Sequence, residues 1–400
     1  MSGLRRSVSN SSYMRPSLAH TTDAPSPPPR PRPSFRPVGY RRLTQPGGTH
    51  TMADRSVRLT GLDVARAVAV LGMFVAHTWP DSPGLFSSVL QGLAGGERPR
   101  TLFAVVGGLS LALFVQSLTG RPGYDSRRIR QTVAVRGVAL IALGLFLQTM
   151  YSGVSIVLDT WGLLFLFFLP LLRIPTRWLV GGAAVALPIG VALDLAGAGW
   201  DPHLRIPGSI FTQPLDWFVD GSYPLLIWIA FLAVGYVLAR LDIAKRRTQL
   251  WMLGCGLAVG VAGQLVQKYA VTPKTFPAEL VLHISAVGVA AALVGGLCLV
   301  STNRIVRGIL YPLASVGMMP LTIYTGHVLV LSFRYWLDPG QPVKNQLAWL
   351  VLTLASLVFA TLWRPLFGQG PLERVLRALD GSRRRNEVRP TGIEPMTSTV

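Results

Sequence analysis

Ten apolar stretches make up most of the chain, and they limit its possible folds more than any other feature. About 20 apolar residues in a helix cross a hydrocarbon core about 30 Å thick. In lipid, only helices and closed barrels satisfy their own backbone hydrogen bonds. The stretches occupy residues 59–79, 102–118, 133–151, 156–172, 178–198, 223–241, 250–269, 280–300, 309–331 and 346–366. We therefore predict an all-α polytopic membrane protein with about ten transmembrane helices.

The composition agrees with this fold class and separates the two ends from the rest. The chain is 50% hydrophobic and 14% charged, whereas soluble domains carry about 25% charged residues. Residues 1–55 are rich in Pro, Ser and Arg, and residues 371–400 are polar and basic. We expect both to be disordered, with a transmembrane domain over residues 56–370. The first segment lacks the apolar run of a signal peptide, and Met52 is a plausible native start.

The formal net charge of +20 comes from 38 Lys and Arg against 18 Asp and Glu. Loops after even-numbered stretches carry twelve basic residues, and the alternate interhelical loops carry seven. The positive-inside rule then places both termini in the cytoplasm of a multi-pass cell-membrane protein. The arginines are spread over short loops with no aromatic groove among them, which argues against nucleic-acid binding.

Neither cysteine suggests a disulfide or a metal site. Cys255 and Cys298 both lie inside apolar stretches, so we interpret them as small core residues and predict no bound metal. Gly256-x3-Gly260 permits close helix contact. A homodimer is therefore allowed, but the oligomeric state stays open.

A few ionisable residues fall within the apolar stretches, where charge is costly and usually functional. They include Asp63, Arg66, His77, Arg136, Asp159, Asp194, His283 and His327. Alternating helix directions place His77, Asp159, His283 and His327 in one outer layer of the membrane. That layer predicts a polar pocket open to the exterior. The alternative is that these histidines only bond carbonyl groups or meet lipid headgroups at helix ends.

The first stretch carries the sharpest pattern. Arg66 and His77 are eleven residues apart, which leaves roughly 20° of angular offset and roughly 16 Å of rise on a helix. Asp63 is an i,i+3 neighbour of Arg66. One interpretation is that Asp63 only neutralises Arg66 and that His77 is interfacial. The functional interpretation is a polar track through the membrane, with a cation at one end and a proton acceptor at the other.

Three segments resemble integral-membrane acyltransferases. The Arg66-x10-His77 spacing is similar to the signature of the acyltransferase-3 group. The Leu-Asp-x-x-Arg opening at Leu62 resembles bacterial heparan-alpha-glucosaminide N-acetyltransferase-like families. Arg100 to Leu113 and Leu313 to His327 resemble the second and penultimate helices of those families. Two departures stand out: Ala67 replaces a usual Gly, and a Met-Met-Pro run before Leu321 replaces a segment that often carries a basic residue.

The resemblance implies transfer of an acyl group, with acetyl as the expected group, from cytoplasmic acyl-CoA to an extracytoplasmic sugar or envelope acceptor. His77 would be the general base or form an acyl-histidine, with Asp63 and Arg66 as further catalytic residues. Support or acceptor binding falls to His327, Tyr324, Asp159 and His283. Binding of the acyl-CoA falls to Arg66, Arg136, Arg127 and Arg128, aided by Arg130, Arg246 and Arg247.

Two other classes of protein remain open from the sequence. A transporter or flippase of envelope precursors also needs a polar track, and it usually shows repeated halves with broken helices. Pro188 and Pro320 interrupt two of the stretches, but no internal repeat is evident. A non-catalytic membrane scaffold would tolerate neutral replacement of Asp63, Arg66 and His77 together.

Overall fold

The computed structural model describes most of the chain between residues 52 and 381. The described residues are 52–80, 84, 85, 87, 97–119, 123–150, 154–197, 217, 223–338 and 344–381, with side chains of the first helix described from residue 60. The regular elements of this part are helices. The predicted extension up to residue 51 and the tail after residue 381 lie outside the described residues.

Thirteen α-helices are described in this part of the chain. They are α1 (Met52–Thr78), α2 (Arg98–Leu118), α3 (Ser126–Thr149), α4 (Leu158–Phe168), α5 (Thr176–Gly197), α6 (Leu225–Leu238), α7 (Arg246–Tyr269), α8 (Phe276–Val300), α9 (Arg304–Ile309), α10 (Tyr311–Gly317), α11 (Pro320–Leu337), α12 (Gln346–Phe367) and α13 (Pro371–Leu379). A 3-10 turn, Pro170–Arg173, follows α4.

The membrane-spanning character of the chain is confirmed by these helices. Seven of those described are long and apolar enough to cross a membrane, and α10 with α11, bent by 83°, makes an eighth if the pair is a single span. Helices α4 and α6 are shorter apolar helices at the positions of the fourth and sixth predicted stretches. Each of the ten predicted stretches thus contains helix. The protein is all-α and polytopic, while the cytoplasmic position of its termini stays a prediction.

Helix α1 lies at the centre of the molecule. Of its apolar window 61% is buried, against 11% for α12. It packs on α2, α8, α10 and α12. Three alanines, Ala65, Ala67 and Ala69, are fully buried along it, because small side chains let neighbouring helices approach closely. The charged residues of α1 are therefore held among helices rather than against lipid.

Glycines set the closest helix contacts. A Cβ on Gly108 would meet the Leu232 carbonyl oxygen at 2.0 Å, and one on Gly235 would meet that of Val105 at 1.9 Å, so α2 and α6 touch through their backbones. Gly256 packs in the same way on the Gly288 carbonyl of α8. The Gly256-x3-Gly260 pattern is thus used inside the chain, and it lends no support to a homodimer contact.

The bend between α10 and α11 is held by the helix that follows the last span. Pro320 lacks an N–H, and the next two backbone N–H groups donate to the Glu373 carboxylate, from Leu321 at 2.8 Å and from Thr322 at 3.1 Å. The Thr322 hydroxyl donates to the same carboxylate at 2.5 Å. Burial raises the pKa of Glu373 despite these bonds. A carboxylate at this position stabilises the positive end of the α11 dipole.

Both boundaries of the predicted domain change. Helix α1 begins at Met52, inside the segment expected to be disordered, and residues 371–379 of the expected disordered tail form α13. Helix α13 begins at Pro371, which suits a first helical position. Its order follows from long-range contacts such as those of Glu373. No local pattern in the sequence predicts such contacts, which explains the difference.

Candidate functional site

Two histidines from different helices meet where α1 ends. The Nδ1 atom of His77 lies 3.3 Å from the Nε2 atom of His327 on α11, and the rings stack with centroids 5.5 Å apart. One of these nitrogens donates the hydrogen and the other accepts it. His327 is 2% exposed, and its Nδ1 has no hydrogen-bond partner among the described residues. The pair can therefore pass a proton between its rings.

Tyr324 packs against this pair, and Asp159 is within electrostatic reach of Tyr324; their support role stays a prediction. The Tyr324 ring lies edge-on to His327 with centroids 5.0 Å apart. The Tyr324 hydroxyl oxygen accepts from the Val157 N–H at 3.1 Å, which leaves its own hydrogen available for donation. Asp159, two residues further on, is 1% exposed and accepts from the Trp217 indole at 2.7 Å. The start of α4 thus holds the Tyr324 hydroxyl through the Val157 N–H and places the Asp159 carboxylate within electrostatic reach of Tyr324.

Arg100, Glu97 and Tyr223 complete the group, and sequence reasoning did not assign them a role. The guanidinium of Arg100 donates to Glu97 at 2.9 Å and lies 5.5 Å from the centre of the Tyr223 ring. Arg100 is within electrostatic reach of His77. It opens the second family-like segment, and that position was the available signal. We call His77, His327, Tyr324, Asp159, Arg100, Glu97 and Tyr223 the histidine cluster.

His283 lies beside this cluster without joining the pair. Its ring packs on Phe231 with centroids 5.6 Å apart, and it is 6% exposed. Its Nδ1 has no hydrogen-bond partner among the described residues, and Glu97 is within electrostatic reach. His283 thus lies within reach of Glu97 but outside the His77–His327 contact, and the position of these residues in an outer layer of the membrane stays a prediction.

A second polar group lies near the other end of α1. Arg66 donates to Asp63 at 2.5 Å and to the Ser110 hydroxyl of α2 at 2.9 Å. Gly317, the last residue of α10, packs directly on the Asp63 carbonyl, which a Cβ would approach to 1.6 Å. The predicted i,i+3 pair is therefore real, and α2 and α10 hold it in place.

Arg364 joins this group from α12 and was missed in the sequence. Its guanidinium donates to Ser315 at 3.3 Å, lies 4.7 Å from the centre of the Tyr311 ring, and is within electrostatic reach of Asp63. Its presence inside the tenth apolar stretch was the available signal. It also brings a basic group close to the Met-Met-Pro run, where the family resemblance expects one. We call Asp63, Arg66, Ser110, Ser315 and Arg364 the arginine cluster.

The two clusters are not joined by a polar track, which differs from the prediction. On the face of α1 between Arg66 and His77 stand Ala69, Val70 and Met73, each at most 3% exposed. Phe74 is fully buried and packs on the His327 ring with centroids 4.7 Å apart. The angular match of Arg66 and His77 is correct, but the positions between them are apolar and close-packed. Asp63 and Arg66 therefore do not share a site with His77.

Of the other arginines predicted to bind the acyl donor, Arg136 is paired with a carboxylate, whereas Arg127 and Arg128 are exposed. Arg136 forms a close ion pair with Asp380, whose side chain is fully buried, and its guanidinium lies 3.7 Å from the centre of the Phe114 ring. A guanidinium paired in this way is a poor candidate for an added anion, which corrects the sequence assignment. The pairing depends on the folded end of the chain. Arg127 and Arg128 are exposed in the first turn of α3.

Neither the cavity beside α1 nor the arrangement of possible metal ligands in the described part of the chain extends the two clusters. A cavity of about 50 Å³ lies between α1, α2 and α8, with Gly72 and Leu102 among its lining residues and Arg98 at its edge. Val68 and Gly72, the lining residues on α1, lie away from the face that carries Arg66 and His77, and the lining includes no residue of either cluster, so the cavity does not connect the clusters. Within the described ranges, no group of three His, Cys, Asp or Glu side chains could hold a metal ion.

The fold and these clusters define a class: a helical multi-pass membrane protein with two buried polar groups set along one central helix. Residues 235–381 match the family described as protein of unknown function (DUF418). The match covers α7 to α13 and hence His327, Tyr324 and Arg364. A search of curated proteins finds no match to the chain.

Proposed function

We propose that this protein is an integral-membrane acyltransferase of the cell membrane. It would transfer an acyl group, most simply acetyl, from cytoplasmic acyl-CoA to a sugar hydroxyl or amine of the cell envelope. The observation that carries the proposal is the His77–His327 contact of 3.3 Å within a buried polar cluster. The resemblance of three segments of the chain to membrane acyltransferases adds support.

The histidine cluster has the groups that acyl transfer requires. His77 takes the proton of the acceptor hydroxyl as the oxygen attacks the thioester carbon, a role suited to imidazole. The Tyr324 hydroxyl donates to the oxyanion that forms on the carbonyl oxygen. The C–S bond then breaks, and His77 returns the proton to the leaving CoA thiolate. An acyl-histidine intermediate is the variant in which His77 attacks the thioester itself.

The arginine cluster fits the donor side of this proposal. CoA carries several phosphates, and guanidinium groups recognise phosphate oxygens in a planar, forked geometry. Under the predicted topology Arg66 lies near the cytoplasmic face, where CoA is available. The pantetheine arm is long and thin, and it must pass Met73 and Phe74 to bring the thioester to His77.

The proposal is tested with purified protein in liposomes supplied with labelled acetyl-CoA. Wild type is expected to release CoA and to pass label to an envelope glycan extract. His77→Ala and Arg66→Ala should each lose at least about a hundredfold in rate, because each removes a group needed in the reaction. Phe333→Leu, on the exposed side of α11, serves as a matched control for insertion. Wild-type rates in either test variant would refute the roles.

A transporter or flippase is the second candidate, and the 83° bend between α10 and α11 favours it. Broken helices commonly frame substrate sites in transporters. Among the described residues this is the single such pair, so the paired breaks of an inverted repeat are not seen there. Substrate uptake into liposomes without CoA release would favour transport over acyl transfer.

A further inference from the structure

The arginine cluster carries more positive than negative charge. Its described side chains contribute two guanidinium groups, from Arg66 and Arg364, and one carboxylate, from Asp63. Charge at membrane depth is costly unless it is paired. The described groups therefore leave an excess of one positive charge among α1, α10 and α12.

The carboxylate is already used by one of the two arginines. Asp63 Oδ1 lies 2.5 Å from the Arg66 guanidinium, and Arg66 Nε donates to Ser110 at 2.9 Å. The side chains of Asp63 and Arg66 are 13% and 24% exposed. Arg66 is thus neutralised in place, although it stays accessible from one side.

Arg364 has neutral partners within bonding distance. It donates to the Ser315 hydroxyl at 3.3 Å and stacks on the Tyr311 ring at 4.7 Å. Asp63 acts on it over a longer distance. Glu373, on the nearby α13, already accepts three hydrogen bonds from α11. Arg364 therefore has donors that no described carboxylate satisfies.

We infer that Arg364, together with Arg66, forms an anion site that binds a phosphate-bearing ligand. The Tyr311 ring fixes the plane of the Arg364 guanidinium, so that its free edge is presented to the ligand rather than spread over many rotamers. This inference rests on the proposed function in one respect, since it assigns the diphosphate of the acyl donor to this site. The same chemistry would also bind the headgroup of an anionic phospholipid.

The test measures binding rather than turnover. Purified protein in neutral detergent is titrated with CoA, with inorganic diphosphate and with phosphatidylglycerol, and binding is measured by calorimetry and by the shift of the melting temperature. Arg364→Gln should weaken binding about tenfold to a hundredfold, the loss expected for a charged hydrogen-bonded contact. Arg364→Lys should recover part of it. Arg177→Gln is the matched control, an exposed arginine that also stacks on an aromatic ring.

The possible outcomes distinguish a failure of the anion site from a failure of the proposed acyltransferase function. Binding of CoA that falls in Arg364→Gln, but not in Arg177→Gln, supports the site and its assignment to the donor. Binding of phosphatidylglycerol alone, lost in Arg364→Gln, supports the anion site and overturns the assignment to the donor. Unchanged binding in a folded Arg364→Gln protein, with acyl transfer intact, overturns the site and leaves the proposed function standing. Wild-type protein that binds none of the three probes overturns the site.

Discussion

At the scale of single residues, the histidine pair determines what chemistry is available. If His77 Nδ1 donates to His327 Nε2, then His77 Nε2 is free to take a proton from an acceptor. His327 must then hold its own hydrogen on Nδ1, which is buried and has no partner among the described residues. A buried N–H without a partner costs about 1–3 kcal/mol. That cost belongs to the tautomer in which His77 can act as a base, and it remains when a proton moves to His327, because the Nδ1 hydrogen of His327 stays unpaired.

Replacement of His327 tests this coupling. His327→Ala should lower kcat by about a hundredfold to ten-thousandfold, because His77 loses its partner for the Nδ1 hydrogen. His327→Gln should retain more activity, since its side-chain oxygen can accept that hydrogen. The KM for acetyl-CoA should stay within a few fold in both variants. A large rise in KM with unchanged kcat would contradict a role in positioning His77.

The site residues found from the sequence are those for which burial of a charged or polar group inside an apolar stretch would cost free energy, a feature that the neighbouring residues alone reveal. Charge inside an apolar stretch identified His77 and His327, and the eleven-residue spacing aligned Arg66 with His77. Arg100 was missed because it lies just before an apolar stretch, and Tyr223 because it is the first residue of another, and polar residues are ordinary at both kinds of position. The partner of Arg136 could not be predicted either, because Asp380 lies 244 positions away in the sequence.

At the scale of helices, Gly317 determines how α10 meets α1. Gly317→Ala would place a Cβ 1.6 Å from the Asp63 carbonyl oxygen, which the two backbones cannot accommodate without moving apart. We expect a loss of about 1–3 kcal/mol in stability, typical of overpacking, and weaker binding of CoA because Asp63 and Arg66 shift. The melting temperature and the CoA titration measure both effects.

Gly326 supplies the matched control for this prediction. It lies in α11, and a Cβ added there meets nothing within 4 Å. Gly326→Ala should be neutral or slightly stabilising, because alanine favours helix by up to about 1 kcal/mol. Equal melting temperatures for the two variants would show that the contact at Gly317 is unimportant.

Helices were the most predictable level of the structure. All ten apolar stretches contain helix, because length and hydropathy alone limit what a chain can do in lipid. The sequence indicates a break at Pro320, but it predicts neither the 83° bend before α11 nor the order of α13. Both depend on the Glu373 carboxylate reaching the backbone of Leu321 and Thr322, and such a contact leaves no periodic signal in the sequence.

At the scale of the whole molecule, the apolar layer of Ala69, Val70, Met73 and Phe74 between the two clusters limits the passage of the proposed acyl donor. Met73 is the most adaptable residue of that layer, since its side chain is unbranched and flexible. Met73→Trp should lower acyl transfer at least about tenfold by blocking the passage of the pantetheine arm, while CoA affinity stays unchanged. Met73→Leu, which conserves volume, is the control and should stay within a few fold of wild type. Full activity in a folded Met73→Trp protein would exclude a passage there.

The same apolar layer also blocks the leakage of protons between the two clusters. A water-filled path from Arg66 to His77 would let protons cross an energised membrane and dissipate the gradient that powers the cell. Ala69, Val70, Met73 and Phe74 leave no room for such a column of water, because close-packed apolar constrictions exclude it. Under the proposed acyl transfer, the layer would have to open around the donor and close behind it, so that the bilayer keeps its low ion permeability.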